Sequence, residues 1–249
     1  MGDAAFRFLV FQHIDIETPG VFLDFMRASG VEWHTVELDA GDPIPKFDGY
    51  DALLVMGGPM DVWEEDEHPW FRPEKAAIRR WVAEERRPYF GFCLGHQLLG
   101  AALGGEVGKA KIPEVGIMAI ELSAAGRANP IFAGLPAKQT CLQWHGAEVS
   151  REPDGAVVLA SSPACRVQSM AVGDRAFSIQ FHLEMTPTTV ADWAEVPAYK
   201  AALDRSLGDG GFERLKSETD RRMKDFNRDA RRLYDNFLGQ VRAWKRATA

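Results

Sequence analysis

Apolar runs alternate with amphipathic stretches through the first half of the chain. A short apolar run predicts a buried strand, whereas apolar residues three and four positions apart predict a helix packed against a sheet. In chain order the pattern predicts strand, helix, strand, strand, helix and strand. These elements are expected over residues 6–11, 20–29, 32–38, 52–56, 73–86 and 89–92. Such alternation is typical of α/β proteins with a mostly parallel sheet covered by helices on both faces.

The second half of the chain has a different rhythm. Short strand-like runs, separated by Gly, Pro, Asn and Asp, predict mixed or antiparallel additions to the same sheet, with a hairpin turn over 172–175. Two helical stretches, interrupted around 208–211, are then predicted from Thr188 onward. We expect one domain over 1–249 with a helical C-terminal extension from about residue 188. The predicted strands are 116–122, 140–144, 157–161, 166–172 and 176–181.

Composition and charge exclude several classes of protein. Among 249 residues, 46% are hydrophobic and 26% charged, which is typical of a globular protein with a buried core. The net charge of −7 argues against a nucleic-acid partner. No apolar run approaches the ~18 residues of a membrane span, and the start of the chain does not resemble a signal peptide. Because three cysteines make no disulfide framework, we expect a cytoplasmic protein.

The segment Gly91-Phe92-Cys93-Leu94-Gly95 carries the first sign of chemistry. It follows a predicted strand and precedes the apolar helical pattern 98–103, which places Cys93 at a sharp strand-to-helix turn. Glycines two positions before and after the cysteine tolerate a strained backbone. The amides at the start of the following helix lie beside the sulfur and favour its thiolate form. Cys93 is therefore a candidate nucleophile.

Two further segments supply what such a thiolate needs. His182 and Glu184 end a predicted strand and project from the same side of an extended chain. The histidine can take the thiol proton while the glutamate orients its ring. The buried run 53–56 ends in Gly57 and Gly58, whose amides are free to face a developing oxyanion. The chain thus offers a nucleophile, a base, an orienting acid and an oxyanion donor.

Three motifs in one order identify a family resemblance. Gly57-Gly58-Pro59, Gly91-Phe92-Cys93-Leu94-Gly95-His96-Gln97 and Gln180-Phe181-His182-Leu183-Glu184 resemble those of the class I (triad) glutamine amidotransferases. The segments 57–67 and 144–146 are similar to free-standing proteins that resemble the glutaminase domain of GMP synthase. The resemblance implies a flavodoxin-like, open and mostly parallel sheet.

The resemblance also implies a reaction. Cys93 would attack the side-chain amide carbon of glutamine, release ammonia and leave a γ-glutamyl thioester that water hydrolyses. His182 would act as base and then acid, oriented by Glu184, and the backbone N–H groups of Gly58 and Leu94 would form the oxyanion hole. No cofactor and no metal are implied. The implied substrate-binding residues are Gln97, His145 and Gly146.

The agreement runs from about residue 50 to 190, with two departures. Leu183 stands where the family usually has proline, but the spacing of His182 and Glu184 is unchanged. Ala147 stands where many near relatives have aspartate. An acidic group for the substrate amine would then be missing or come from Glu148.

Several alternatives stay open at the level of sequence. A cysteine-bearing α/β-hydrolase shares the elbow pattern, but its acid would precede the histidine in the chain. A γ-glutamyl peptide or amide hydrolase of the same fold would use the same thioester, and a regulatory protein could keep the fold without turnover. A zinc site from Cys93, His96 and His182 lacks supporting spacing. Ordinary structural roles are expected for His13, His34, His68, Cys141 and Cys165.

The use of the ammonia is the remaining question. The ~60 residues after the triad are too few for a synthetase domain, and no phosphate-binding loop is present. We therefore expect any ATP-driven acceptor chemistry on a separate synthetase chain, whose binding could activate the glutaminase. The acidic run 64–67 is typical of a solvated loop, with a lid or a docking loop as the alternative.

Overall fold

The structure is a computed structural model that describes residues 6–248. Within that range nine strands form one sheet. The strands are β1 (Phe6–Gln12), β2 (Val31–Glu37), β3 (Ala52–Val55), β4 (Tyr89–Phe92), β5 (Glu106–Leu122), β6 (Lys138–Arg151), β7 (Ala156–Ser161), β8 (Ser169–Val172) and β9 (Ala176–Ile179). The helices are α1 (Phe22–Ala28), α2 (Phe71–Arg79), α3 (Leu94–Ala102), α4 (Ala124–Ala128), α5 (Thr189–Ala194), α6 (Pro197–Leu207) and α7 (Gly211–Thr248).

The sheet has a parallel and an antiparallel half. Its strand order is β2-β1-β3-β4-β9-β8-β7-β5-β6. The pairs from β2 to β9 are parallel, and those from β9 to β6 are antiparallel. The predicted hairpin is present, since Val172 pairs with Ala176 across a turn in which Gly173 has φ +62°. The predicted fold class is confirmed.

Some predicted boundaries are wrong. Strands β5 and β6 are much longer than the runs 116–122 and 140–144, because their outer parts pair with each other across an exposed ladder that no apolar pattern marks. Helix α2 starts before the predicted residue 73 and continues as a π turn, Arg80–Glu84. Three helices, rather than two, follow Thr188, because Pro197 starts a new one.

Two apolar layers cover the two faces of the sheet. On one face, Phe237 of α7 lies against Phe8 and Phe90, with ring centroids 6.0 and 5.3 Å apart. On the other face, α2 and α3 pack on the alternate side chains of the same strands, with Trp81 and Leu98 fully buried. The C-terminal helix therefore belongs to a core face, while the single-domain assignment over 1–249 stays a prediction. No described helix is long and apolar enough to cross a membrane.

The entry of α3 into the sheet depends on two glycines. A Cβ on Gly95 would lie 2.1 Å from the carbonyl oxygen of Val55 in β3. A Cβ on Gly91 would lie 2.6 Å from the carbonyl oxygen of Gly95. The helix can therefore start directly against the ends of β3 and β4 only because these side chains are absent.

His96, on the buried side of α3, is a core residue. Its Nδ1 lies 2.8 Å from Ser178 Oγ in β9, and the ring is fully buried. Burial lowers the pKa of His96 to about 3. His96 therefore packs inside the domain instead of lining the cavity.

We expect Gly95→Ala to destabilise the fold by about 3 kcal/mol, because the added methyl group collides with backbone that cannot move away. Gly239→Ala is the matched control. Gly239 lies inside α7 with nothing within 4 Å of an added Cβ, so this change is expected to stabilise the protein by about 0.5–1 kcal/mol. Urea unfolding measures both, and equal stability of the two variants would contradict the close approach of α3.

His96 also predicts a pH dependence of stability. The unfolded chain binds a proton at His96 below about pH 6.5, whereas the folded chain resists it down to about pH 3. This contribution is thus complete above pH 6.5 and is lost progressively as the pH falls. When the pH is lowered from 7 to 4.5, the free energy of unfolding of the wild type should fall by about 2–3 kcal/mol more than that of His96→Asn. Urea titrations at the two pH values measure this difference. Identical pH dependence of the two proteins would refute the assignment.

Candidate functional site

The candidate residues meet at the carboxyl ends of the parallel strands. Gly58 follows β3, Cys93 follows β4, and His182 follows β9, all at one edge of the sheet. Open α/β sheets form their sites at this edge. A cavity of about 350 Å³ opens there, lined among others by Gly58, Cys93, Gln97 and Tyr199. A larger cavity, of about 700 Å³, lies along β5 and β7 and contains no cysteine or histidine among its described lining residues.

Cys93 occupies a strained turn. Its φ of +48° is shared in sign by only one other described non-glycine residue, Arg86. The backbone N–H of Cys93 donates to the Ile179 carbonyl at 2.9 Å, and its carbonyl accepts from the Gln97 N–H at 3.1 Å. These bonds hold a conformation that costs energy on its own. The thiol is 5% exposed and borders the cavity, and the Gln180 side-chain amide lies 3.4 Å from Sγ.

His182 and Glu184 form a buried pair beside Cys93. Nδ1 of His182 lies 2.6 Å from Glu184 Oε1, and the other carboxylate oxygen accepts from the Leu183 N–H at 3.0 Å. Burial alone would lower the pKa of His182, but the charge of Glu184 and hydrogen bonds to Cys93 and Glu184 hold it well above its usual value. The imidazolium form is therefore favoured next to the sulfur. Leu183, in place of proline, leaves this geometry intact.

The predicted oxyanion donors are unpaired amides. Within residues 6–248, neither the Gly58 nor the Leu94 backbone N–H donates a hydrogen bond, whereas Cys93 donates to Ile179 and Gly95 to Met56. The segments of Gly58 and Leu94 are in contact, since a Cβ on Gly58 would lie 2.8 Å from Leu94 Cδ2. Buried amides are rarely left without a partner, so a free pair beside a nucleophile is a candidate anion site.

Gln97, His145 and Gly146 all line the cavity. The Gln97 side-chain amide donates to the Ala147 carbonyl at 3.2 Å and to Gln180 Oε1 at 3.1 Å. His145 Nδ1 lies 2.9 Å from the same Ala147 carbonyl. Gln97 and His145 therefore hold the strand that forms one wall, and their side chains contribute to that wall.

The acid near Ala147 is not Glu148. Ala147 lines the cavity, whereas Glu148 is on the opposite side of the strand, against Cys165. The carboxylate that does border the cavity is Asp61, which is half-buried. Burial and the neighbouring Glu64 raise the pKa of Asp61, and Lys109 opposes that shift. Asp61 therefore lines the cavity, whereas Glu148 is not among its lining residues.

Four residues near the site carried no assigned role in the sequence. His13 contacts the backbone of Gly57, while Glu17 accepts a 2.5 Å hydrogen bond from Tyr199. His13 directly follows β1 and Glu17 lies in the loop after it, so the rule that ligand sites lie at the carboxyl ends of parallel strands could have found them. Tyr199 and Asp61 had no such signal, because their positions depend on how α6 and the 59–70 loop fold back.

Other sequence candidates lie outside this chemistry. Cys165 and Cys141 are buried, and burial raises the pKa of Cys165 to about 12 and that of Cys141 well above its usual value. Within residues 6–248 no group of three or more His, Cys, Asp and Glu side chains could hold a metal ion. In the acidic run, Glu65 pairs with Arg72 and Lys75 of α2, which holds this loop against the domain.

Comparison with known proteins agrees with the motifs and the fold. The family model "Glutamine amidotransferase class-I" matches residues 21–193. The glutamine amidotransferase-like protein YfeJ of Salmonella typhimurium is 34% identical over 72% of this chain and 75% of its own length. One subunit of the glutamine-hydrolyzing GMP synthase of Sulfolobus acidocaldarius is 36% identical over 56% of this chain and 70% of its own.

Solved structures show the same architecture. A glutamine amidotransferase from Thermotoga maritima superposes with a TM-score of 0.84 at 26% identity, over 94% of this chain and 99% of that one. A glutamine amidotransferase from Methylobacillus flagellatus gives 0.84 at 27% identity, over 95% of both chains. With the family model matching more than half of its length, this chain belongs to the class I glutamine amidotransferase family.

Proposed function

We propose that this protein hydrolyses the side-chain amide of glutamine through a γ-glutamyl thioester on Cys93. The observation that supports it most is one arrangement: a strained cysteine at a helix start, a buried His182–Glu184 pair beside it, and the free N–H groups of Gly58 and Leu94. Family membership removes the α/β-hydrolase alternative.

Each group has a defined task in the proposed reaction. His182 takes the proton from Cys93 Sγ, and the thiolate attacks the amide carbon of the substrate. The N–H groups of Gly58 and Leu94 stabilise the oxyanion. The proton passes from His182 to the leaving ammonia. His182 then takes a proton from the water that cleaves the thioester and returns it to the Cys93 thiolate as glutamate leaves. Glu184 stays ionised throughout and accepts from Nδ1–H; glutamine and water become glutamate and ammonia.

The charges around the cavity suit an amino-acid substrate. Among the described residues that line the cavity, Asp61 is the only acidic one. Lys109 is the only lysine there and Arg205 the only arginine. We propose that Asp61 binds the α-amine of glutamine in place of the aspartate that relatives have at position 147. Lys109 and Arg205 would attract the α-carboxylate.

The ammonia would serve a second chain. Among the relatives, the protein from Sulfolobus acidocaldarius and its counterpart in Saccharolobus solfataricus are each named as one lettered subunit of GMP synthase. Such a name implies a separate partner there. We propose a separate synthetase or acceptor chain for this protein too.

The function predicts Cys93-dependent glutamate release. Purified wild-type chain should release glutamate and ammonia from free glutamine, and Cys93→Ser should lose at least about 10³-fold in kcat, as with loss of other covalent nucleophiles. Cys165→Ser is the control and should retain activity. Preference for γ-glutamyl dipeptides over glutamine would favour the hydrolase alternative. Absence of activity on every γ-glutamyl compound, with and without a candidate synthetase, would favour a non-catalytic protein.

The role of Asp61 predicts a change in substrate discrimination. Asp61→Asn should lower kcat/KM for glutamine about 10–30-fold, since a charge-assisted hydrogen bond to the α-amine is lost. Hydrolysis of 5-amino-5-oxopentanoate, which is glutamine without its α-amine, should be nearly unchanged. Glu67→Gln, an exposed neutralisation in the same loop, should affect neither substrate. An equal loss on both substrates after Asp61→Asn would contradict the assignment.

A further inference from the structure

The peptide between Gly57 and Gly58 is held on several sides. Its carbonyl oxygen, on Gly57, lies 2.9 Å from His13 Nδ1. A Cβ on Gly57 would lie 2.7 Å from Glu17 Oε2, and one on Gly58 would lie 2.8 Å from Leu94 Cδ2. Side chains therefore crowd both glycines, and a polar side chain fixes the direction of the carbonyl.

His13 is itself fixed by Glu74. Nε2 of His13 lies 2.9 Å from Glu74 Oε1, and neither side chain has any exposed surface. Glu74 stands in the first turn of α2, so the pair connects this helix to the end of β1. Because a carbonyl oxygen only accepts, His13 must carry a proton on Nδ1 to bond Gly57. The ring therefore has one orientation that satisfies both of its nitrogens.

The direction of the carbonyl decides the direction of the next amide. In a trans peptide the C=O and the following N–H point in opposite directions, and none of the described peptides is cis. With the Gly57 carbonyl on His13, the Gly58 N–H points away from His13 Nδ1, and Gly58 itself lines the cavity together with Cys93. A flipped peptide would turn the carbonyl toward that cavity and leave the buried His13 N–H without its acceptor.

We propose that His13 is a positioning residue whose hydrogen bond to the Gly57 carbonyl locks the Gly57–Gly58 peptide so that the Gly58 N–H faces the cavity before substrate binds. This inference rests on the proposed function for the use made of that N–H. It extends the function in one respect, because it assigns the residue whose hydrogen bond sets the direction of this peptide. His13, an ordinary core histidine by sequence, is thereby assigned to the site.

Two substitutions separate the two hydrogen bonds of His13. In His13→Gln the side-chain amide nitrogen reaches the position of His13 Nε2, so the hydrogen bond to Glu74 is kept and the one to the Gly57 carbonyl is lost. In His13→Asn the amide nitrogen occupies the position of Nδ1, so the hydrogen bond to the Gly57 carbonyl is kept and the one to Glu74 is lost. The second variant therefore also carries Glu74→Gln, which removes the buried charge left without a partner. We expect His13→Gln to lose about 10²-fold in kcat with KM for glutamine within about threefold, as for removal of an oxyanion donor. The double variant should retain kcat within about threefold of the wild type.

Alkylation of Cys93 by iodoacetamide is the control for the rest of the site. It needs the thiolate but no oxyanion hole, so its rate should be the same in the wild type and in both variants. Thermal unfolding shows whether the variants are folded. A purely structural role for His13 would instead lower kcat in both variants in proportion to their stability, and that result would overturn the proposal.

Crystal structures of the wild type and His13→Gln test the lock without relying on turnover. We expect the Gly57 carbonyl on His13 in the wild type and a flipped or mixed Gly57–Gly58 peptide in the variant. An unchanged peptide in the variant refutes the lock even if glutamine is hydrolysed. A flipped peptide in a protein whose wild type hydrolyses no γ-glutamyl compound supports the lock and refutes the proposed function.

Discussion

The close approach of α3 to β3 is the constraint on which the site depends. Gly95 lies so near the Val55 carbonyl that no side chain fits between them. This contact forces the chain to turn within one residue after β4, and Cys93 takes the strained φ of that turn. The same contact brings the Leu94 amide next to Gly58 at the end of β3. The positions of the proposed nucleophile and of the proposed oxyanion donors thus follow from one packing contact.

Buried acid–base pairs surround this turn. His182–Glu184 and His13–Glu74 are both sequestered from solvent, at distances of 2.6 and 2.9 Å. Burying such groups is costly, and pairing with good geometry offsets the cost without adding much stability. Their value lies in orientation, because each imidazole is held with a defined nitrogen toward the reacting region. A protein that needed only stability would be better served by apolar side chains at these positions.

The parallel and antiparallel halves of the sheet supply different parts of the candidate site. The parallel half brings the carboxyl ends of β3, β4 and β9 to one edge, which assembles the chemical groups. The antiparallel half supplies β6, whose segment around His145 and Ala147 forms a wall of the cavity. Helix α6 closes another side with Tyr199, whose hydroxyl donates to Glu17. The cavity walls are therefore built partly from elements outside the strands that carry the proposed catalytic groups.

The sequence by itself determined the alternating strands and helices of the first half, the elbow around Cys93 and the pairing of His182 with Glu184. These features are local, since apolar period, glycine spacing and an i, i+2 relation are all written within a few residues. The lengths of β5 and β6, the position of Asp61 rather than Glu148 at the cavity, and the contact of His13 with Gly57 were decided only by the tertiary structure. Each depends on partners distant in the chain, and no local pattern records which residues a folded backbone brings within hydrogen-bonding distance.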